Sequence, residues 1–247
     1  MTGEGLGTKS GQTSFAAPGH KRLYVFGGVM LILIGICELF ANLISFLPQN
    51  NGWASPPGVS AATFVNTLAH ARGAYLSWGL FTICDFLFVP AIVALYFAFK
   101  SINRDALLVG LVLLFMTAVL DAAVAEVGFF SATSLSVSWA AATDPTLKAA
   151  YFVAAQNMVM LTEFAFPYSF AGSFAGLAVI SAVMRRGWKW LGWVGVVLFT
   201  FFCLSSILFM LPGTTFMGAF IPLGIFWLFA FGVVAGFRLL RLGMETA

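Results

Sequence analysis

The run ALLVGLVLLFMTAVLDAAVAEVGFFS, Ala106 to Ser131, decides the fold class of this chain. At about 1.5 Å of rise per residue it is long enough to cross a hydrocarbon core about 30 Å thick. Its second half nevertheless carries two carboxyl groups, Asp121 and Glu126. An ionisable group at membrane depth costs roughly 2.5–3.5 kcal/mol on insertion scales, so each one is a functional-site candidate. Three other long apolar runs hold a lone acid near their middles: Glu38, Asp85 and Glu163.

Composition extends this reading to the whole chain. Of 247 residues, 61% are hydrophobic and 9% charged, with a mean hydropathy of +0.98. A soluble domain carries roughly 25% charged residues, so this chain cannot coat a water-facing surface and its solvent must be lipid. No second polar block exists from which another domain could be built. The net charge of +3 does not indicate nucleic acid, because the basic residues flank the ends of apolar runs instead of forming one patch. Cys37, Cys84 and Cys203 fall inside apolar runs without zinc-site or disulfide spacing, and are expected to be buried, inert thiols.

Working outward from the central run, residues 1–21 read as a flexible tail and 242–247 as a second one, enclosing a transmembrane domain over 22–241. Six spans are expected, at about 23–47, 70–99, 106–131, 150–184, 190–211 and 216–240. The first is too long for a signal-peptide core and has no small-x-small cleavage site after it, so it stays. Ser60 is placed to cap a helix that continues through His70 and Arg72 into the second span, with Gly73 as a bend. KSINRD (Lys100 to Asp105) is a short polar turn into the third span, and the Ser/Thr/Ala-rich stretch Ser131 to Thr143 reads as an interfacial loop. Asp144-Pro145 is a helix start, a capping residue followed by proline at the first helical position. The fourth run exceeds the roughly 20 residues a span needs, so its first turns stand clear of the membrane or Pro167 kinks it. The Phe-rich fifth and sixth spans are expected to turn residues such as Phe199, Phe201, Phe202, Phe226, Phe229 and Phe231 toward lipid, or toward another subunit.

Orientation follows from the 12 Lys and Arg residues. Ten of them, Lys9, Lys21, Arg22, Lys100, Arg104, Arg185, Arg186, Lys189, Arg238 and Arg241, fall on one side of six spans. Only Arg72 and Lys148 fall on the other. Short loops with this bias are cytoplasmic, which puts both termini inside and the protein in the cell membrane as a multi-pass chain. Trp188, Trp190 and Trp193 on the inner side, and Trp53 and Trp139 on the outer, are expected to be interfacial anchors.

The segment ALYFAFKSINRDALL, Ala94 to Leu108, resembles a family of bacterial six-span proteins catalogued as domain-of-unknown-function family 4386. In that family an "aLY" end of span two meets an "nr.aLL" start of span three. The small-residue-rich stretch Gly172 to Gly195, with its Trp/Gly-rich restart, is similar too. The resemblance implies a six-span fold and a bacterial-type membrane location, and brings no activity with it.

Counting inward from the outer ends at about 1.5 Å per residue places Glu38 roughly 14 Å deep, Asp121 roughly 15 Å and Glu163 roughly 16 Å, with Asp85 similar. These four acids form a polar layer near the midplane. One reading is a proton or cation relay. The other is structural, each acid protonated and hydrogen-bonded to a neighbouring helix, and it is the commoner fate of a buried polar group. With no Lys or Arg in any span reaching that depth by residue count, the layer is expected to be largely neutral at pH 7. Glu126 counts to only about 8 Å below the outer end, where Arg72 enters from the same side, so the two are candidates for an ion pair at the outer mouth. The Glu38/Asp85 and Asp121/Glu163 pairs hint at a duplicated hairpin.

No metal is expected. Neighbours such as Cys37 and Glu38, or Cys84 and Asp85, point about 100° apart on a helix, and no His-x-x-x-His or Glu-x-x-His spacing exists. No Lys lies inside a span for a Schiff base, no Gly-rich loop follows a strand, and no His pair suits haem, so no cofactor and no catalytic residue is assigned. The sequence therefore reads as an all-α, six-helix integral membrane protein. Its expected role is an accessory or structural subunit of a membrane complex, with the bilayer and other membrane subunits as partners. The alternative is a small transporter-like protein that uses the carboxylate layer for proton or cation coupling, and the second alternative an intramembrane enzyme.

Overall fold

The computed structural model describes residues 20–45, 60–71, 73–211 and 221–245. Among them the regular structure is helical: α1 (Lys21–Ser45), α2 (Ala61–His70), α3 (Ala74–Leu120), a π-helical turn (Asp121–Glu126), α4 (Val127–Ala141), α5 (Pro145–Met184), α6 (Lys189–Phe209) and α7 (Ile221–Glu245). Five helical stretches are long and apolar enough to cross a membrane: Lys21–Ile44, Tyr75–Ala141, Pro145–Met184, Lys189–Phe209 and Phe226–Glu245.

The second of these, 67 residues long, is interrupted inside α3. At Asn103 the backbone leaves the helical region (φ −161°, ψ 95°), and the Asn103 side chain accepts from the Ala106 N–H at 3.1 Å. That is a helix N-cap, so the KSINRD turn starts a new helical segment as its residues suggest. The chain doubles back here. The half before Asn103 packs antiparallel to α1, through Ser77 Oγ donating to the Ala41 carbonyl (2.9 Å) and Tyr24 Oη to that of Phe97 (3.3 Å). The half after it packs against α5. Asp85 and Asp121 stand equally far in sequence on either side of Asn103, so doubling back brings them to one level.

Two glycine crossings set how closely the helices approach. A methyl group at Gly28 of α1 would stand 2.7 Å from the Gly236 carbonyl oxygen of α7, and one at Gly236 2.7 Å from that of Gly28. Gly110 of α3 and Gly176 of α5 face each other in the same way, at 3.0 and 2.8 Å. Only glycine lets backbones meet at that distance. α1 thus lies between α3 and α7, and α5 between α3 and α6, with α6 and α7 in contact.

Several expectations are corrected. The second-span helix does not run on from Ser60: α2 ends at His70 and α3 starts afresh at Ala74. Ser60 does cap α2, accepting from Thr63 N at 3.2 Å. Ser131 to Thr143 is not a loop; α4 stays helical to Ala141 because Ala132, Thr133 and Ser136 are buried and the Ser136 hydroxyl satisfies the Ala132 carbonyl at 2.7 Å. Asp144 caps α5 as expected, accepting from Thr146 N (2.8 Å) and Leu147 N (2.9 Å). α5 then runs unbroken through Pro167 to Met184.

Trp188 is not an interfacial anchor: it is buried at 4% exposure and packs edge-on to Phe99, with Arg238 over its ring. Phe199, Phe202 and Phe231 are core residues and do not face outward, because they interlock where α5, α6 and α7 meet. Of the three thiols only Cys84 is fully buried; Cys37 and Cys203 are half-buried. α7 remains helical to Glu245, into the expected tail.

Candidate functional site: a cavity lined by carboxyl groups

One cavity of about 70 Å³ lies among α1, α3, the π turn, α5 and α7. A single water needs about 10–15 Å³ by the same measure, so there is room for roughly five water-sized groups. Glu38 of α1, Asp85 of α3, and Asp121 and Glu126 of the π turn all line it. Three of the four sequence-assigned acids are thus brought together, and Glu126 joins them in place of Glu163.

Both exchanges have a local cause. On an α-helix, residues five apart point about 140° away from each other, so Asp121 and Glu126 would face opposite ways. The wider π turn from Asp121 to Glu126 returns both to one face. Glu126 consequently faces the cavity and is only 4% exposed, far from the outer-mouth position expected of it. Arg72, its expected partner, lies outside the described residues.

Glu163 is displaced by helix register. Close contacts pair Gly128 with Thr162 and Gly172 with Thr117, which puts Ser169 level with Asp121. Glu163 is six residues earlier on α5, about 9 Å nearer the other end of the bundle. His70, also noted near the outer end, is exposed and its ring is bonded to the Asn66 carbonyl at 2.8 Å.

The walls are aromatic. Trp78 and Phe81 of α3 and Phe166, Phe170 and Phe174 of α5 close around the acids. The rings hold one another in place: Trp78 stacks on Phe129 (4.1 Å, 9°) and meets Phe166 edge-on (6.2 Å, 82°), and Phe166 meets Phe170 at 4.6 Å. No Lys, Arg or His is among the described residues that line the cavity.

Hydrogen bonding leaves the acids incompletely satisfied. Asp121 reaches the Ser169 hydroxyl and Glu126 that of Thr82. Both hydroxyls already donate to their own helices, Ser169 to the Phe166 carbonyl (2.9 Å) and Thr82 to that of Trp78 (3.0 Å). One oxygen each of Asp85, Asp121 and Glu126 (Oδ2, Oδ1 and Oε2) is buried with no partner among the described residues. Buried polar atoms are nearly always paired, so three around one cavity set it apart from the rest of the described structure.

No three His, Cys, Asp or Glu side chains among the described residues converge to hold a metal ion. Cys84 instead directs its thiol to the Ile34 carbonyl at 3.7 Å. What the cavity can do is hold protons on several closely spaced carboxyl groups and exchange them for positive charge. Searches against protein-family models, curated proteins and solved structures find no match for the chain.

Proposed function

We propose that the protein is a small carrier-type membrane protein in which protons exchange with a cation at the four-carboxyl cavity. The observation that carries this reading is the set of three unpartnered buried oxygens on Asp85, Asp121 and Glu126 around one space. Polar groups that merely tie helices together are expected to be paired with each other or with backbone. Ionisable groups facing an interior space are the usual mark of an ion path.

The membrane arrangement we propose has six spans, the stretch Tyr75–Ala141 crossing twice about Asn103. The clustering of basic residues supports cytoplasmic termini in the cell membrane. The resemblance of Ala94 to Leu108 to family 4386 agrees with that span count. Between the cavity and the end where the basic residues gather, Leu31, Ile34, Leu95 and Ile180 belong to one buried apolar cluster. A void of about 10 Å³ lies against Leu31, Ile34 and Leu95. Translocation therefore requires this cluster to open.

The test is flux. Purified protein is reconstituted in liposomes holding a pH-sensitive dye, and a gradient of sodium, potassium or an organic ammonium is imposed. Proton movement is expected in wild type and in Glu163→Gln, and lost in Asp121→Asn and Glu126→Gln. Undiminished movement in both cavity variants, or none in folded wild type under any gradient, overturns the reading. An accessory-subunit role then becomes the better one.

A further inference from the structure

The cavity combines two features that a proton or a simple inorganic ion does not need together. Its carboxyl groups line the space without any three of them closing on one ion. A hard cation requires six or more oxygens at about 2–2.6 Å. Much of the remaining lining is aromatic, Trp78, Phe81, Phe166 and Phe170 bracing one another beside aliphatic residues such as Leu114 and Leu177. Aromatic rings attract a cation whose charge is spread over an apolar surface, and cages of this kind recognise quaternary ammonium groups. Glu126 supplies the fixed point, being 4% exposed with Oε2 unpartnered and lining the space.

We infer that the cation is a small organic ammonium, seated between the aromatic wall formed by Trp78, Phe166 and Phe170 and the carboxyl groups of Asp85, Asp121 and Glu126. This rests on the carrier reading and adds the substrate class. Size agrees: room for roughly five water-sized groups fits a nitrogen carrying four methyls. On binding, the cation replaces protons on the carboxyl groups. Carboxyl O–H bonds break, the protons leave to solvent, and no covalent bond to the ligand forms. Small primary amines would satisfy the carboxyls and leave the ring faces less filled, so methylated ammonium is the better fit.

The experiment is calorimetric titration of the purified full chain in mild detergent with tetramethylammonium chloride, in two buffers of different ionisation heat. Sodium and potassium chloride and the neutral, similarly shaped neopentyl alcohol are titrated alongside. Saturable one-site binding of tetramethylammonium is expected, with a buffer-dependent heat that reports proton release. Neopentyl alcohol should bind at least tenfold more weakly. Trp78→Leu and, in case that variant fails to fold, Phe170→Leu should each weaken tetramethylammonium by about tenfold, or about 1.4 kcal/mol, through loss of a cation–π contact. Asp121→Asn combined with Glu126→Gln should abolish binding.

Equal binding of the neutral alcohol, or tetramethylammonium binding that ignores the acid substitutions, overturns the inference. Absence of tetramethylammonium binding while acid-dependent proton flux persists with sodium or potassium overturns the substrate class and leaves the carrier reading standing. Absence of both overturns the two together.

Discussion

A serine or threonine hydroxyl has one proton to give. Ser169 gives its proton to the Phe166 carbonyl and Thr82 to that of Trp78, so toward Asp121 and Glu126 each hydroxyl oxygen is left to accept. The carboxyl is then the group expected to donate, so both residues are expected to be carboxylic acids. Ionisation reverses the polarity: the hydroxyl must swing off its own helix to donate to the carboxylate. In Asp121→Asn and Glu126→Gln the amide keeps both a donor and an acceptor, and the fold should be retained. Infrared spectra of the reconstituted protein should show a protonated-carboxyl band that diminishes in each variant. Carboxylate bands alone at neutral pH would contradict this assignment. Ser169→Ala should leave the fold standing at a cost of about 1 kcal/mol and shift the frequency of the Asp121 contribution. An unmoved band would mean that the hydroxyl does not hold Asp121. At this scale the sequence showed which residue types matter, because a carboxyl group in an apolar run is conspicuous. It could not show their partners, since Ser169 and Thr82 look like any other small polar residues in a span.

The elements explain which acids meet. Depth counted along straight α-helices grouped Glu163 with Asp121 and put Glu126 at the mouth, and both assignments failed at points where helix geometry departs from the simple count. DAAVAE carries no proline or glycine to announce its π turn, and the α3–α5 register is fixed by Gly110 meeting Gly176, a pairing invisible in either segment alone. Other features were legible because their chemistry is local: the Asn103 break, the Ser60 cap and the Asp144-Pro145 start all follow from side chains acting on backbone within three residues. The π turn is testable by deletion. Removing Ala123, an exposed residue within it, would let the segment close as regular α-helix and bring the two acids to an i, i+4 spacing on one face. The flanking contacts at Thr117 and Gly128 would keep their register. The variant should fold with a melting temperature close to wild type, and unfolding would show that the segment was α-helical to begin with. The glycine crossings make the opposite prediction. Gly236→Val drives a side chain into the Gly28 carbonyl and should destabilise by about 1–3 kcal/mol, the usual range for overpacking. Ala230→Val, on the same helix and not at that crossing, should change the melting temperature far less.

Across the whole molecule, charge and packing divide the bundle into two ends with the cavity between them. At one end Phe97 meets His20 (4.3 Å), Phe99 meets Trp188 (4.8 Å), and Gly243 lies beside the Lys21 carbonyl. These contacts gather the starts of α1 and α6, the ends of α5 and α7 and the Asn103 turn, and with them Lys21, Arg22, Lys100, Arg104, Arg185, Arg186, Lys189, Arg238 and Arg241. The opposite end holds α2, the α4–α5 connection and Lys148, which sits over the Trp139 ring at 5.1 Å. Such one-sided charge orients short-looped membrane proteins with the basic end in the cytoplasm. Nothing in the internal packing distinguishes the sides, so the direction has to be measured in cells. In a background with Cys37, Cys84 and Cys203 replaced by Ser, single substitutions Asp144→Cys, Asn103→Cys and Gly187→Cys would report it through a membrane-impermeant thiol reagent. Asp144→Cys should be labelled in intact cells. Asn103→Cys and Gly187→Cys should be labelled only after the membrane is opened. Labelling of Asn103→Cys from outside would reverse the orientation. Protection of both Asn103→Cys and Asp144→Cys in intact cells would mean that Tyr75–Ala141 does not cross twice. Labelling in the expected pattern would put the apolar residues Leu31, Ile34, Leu95 and Ile180 on the cytoplasmic side of the acids.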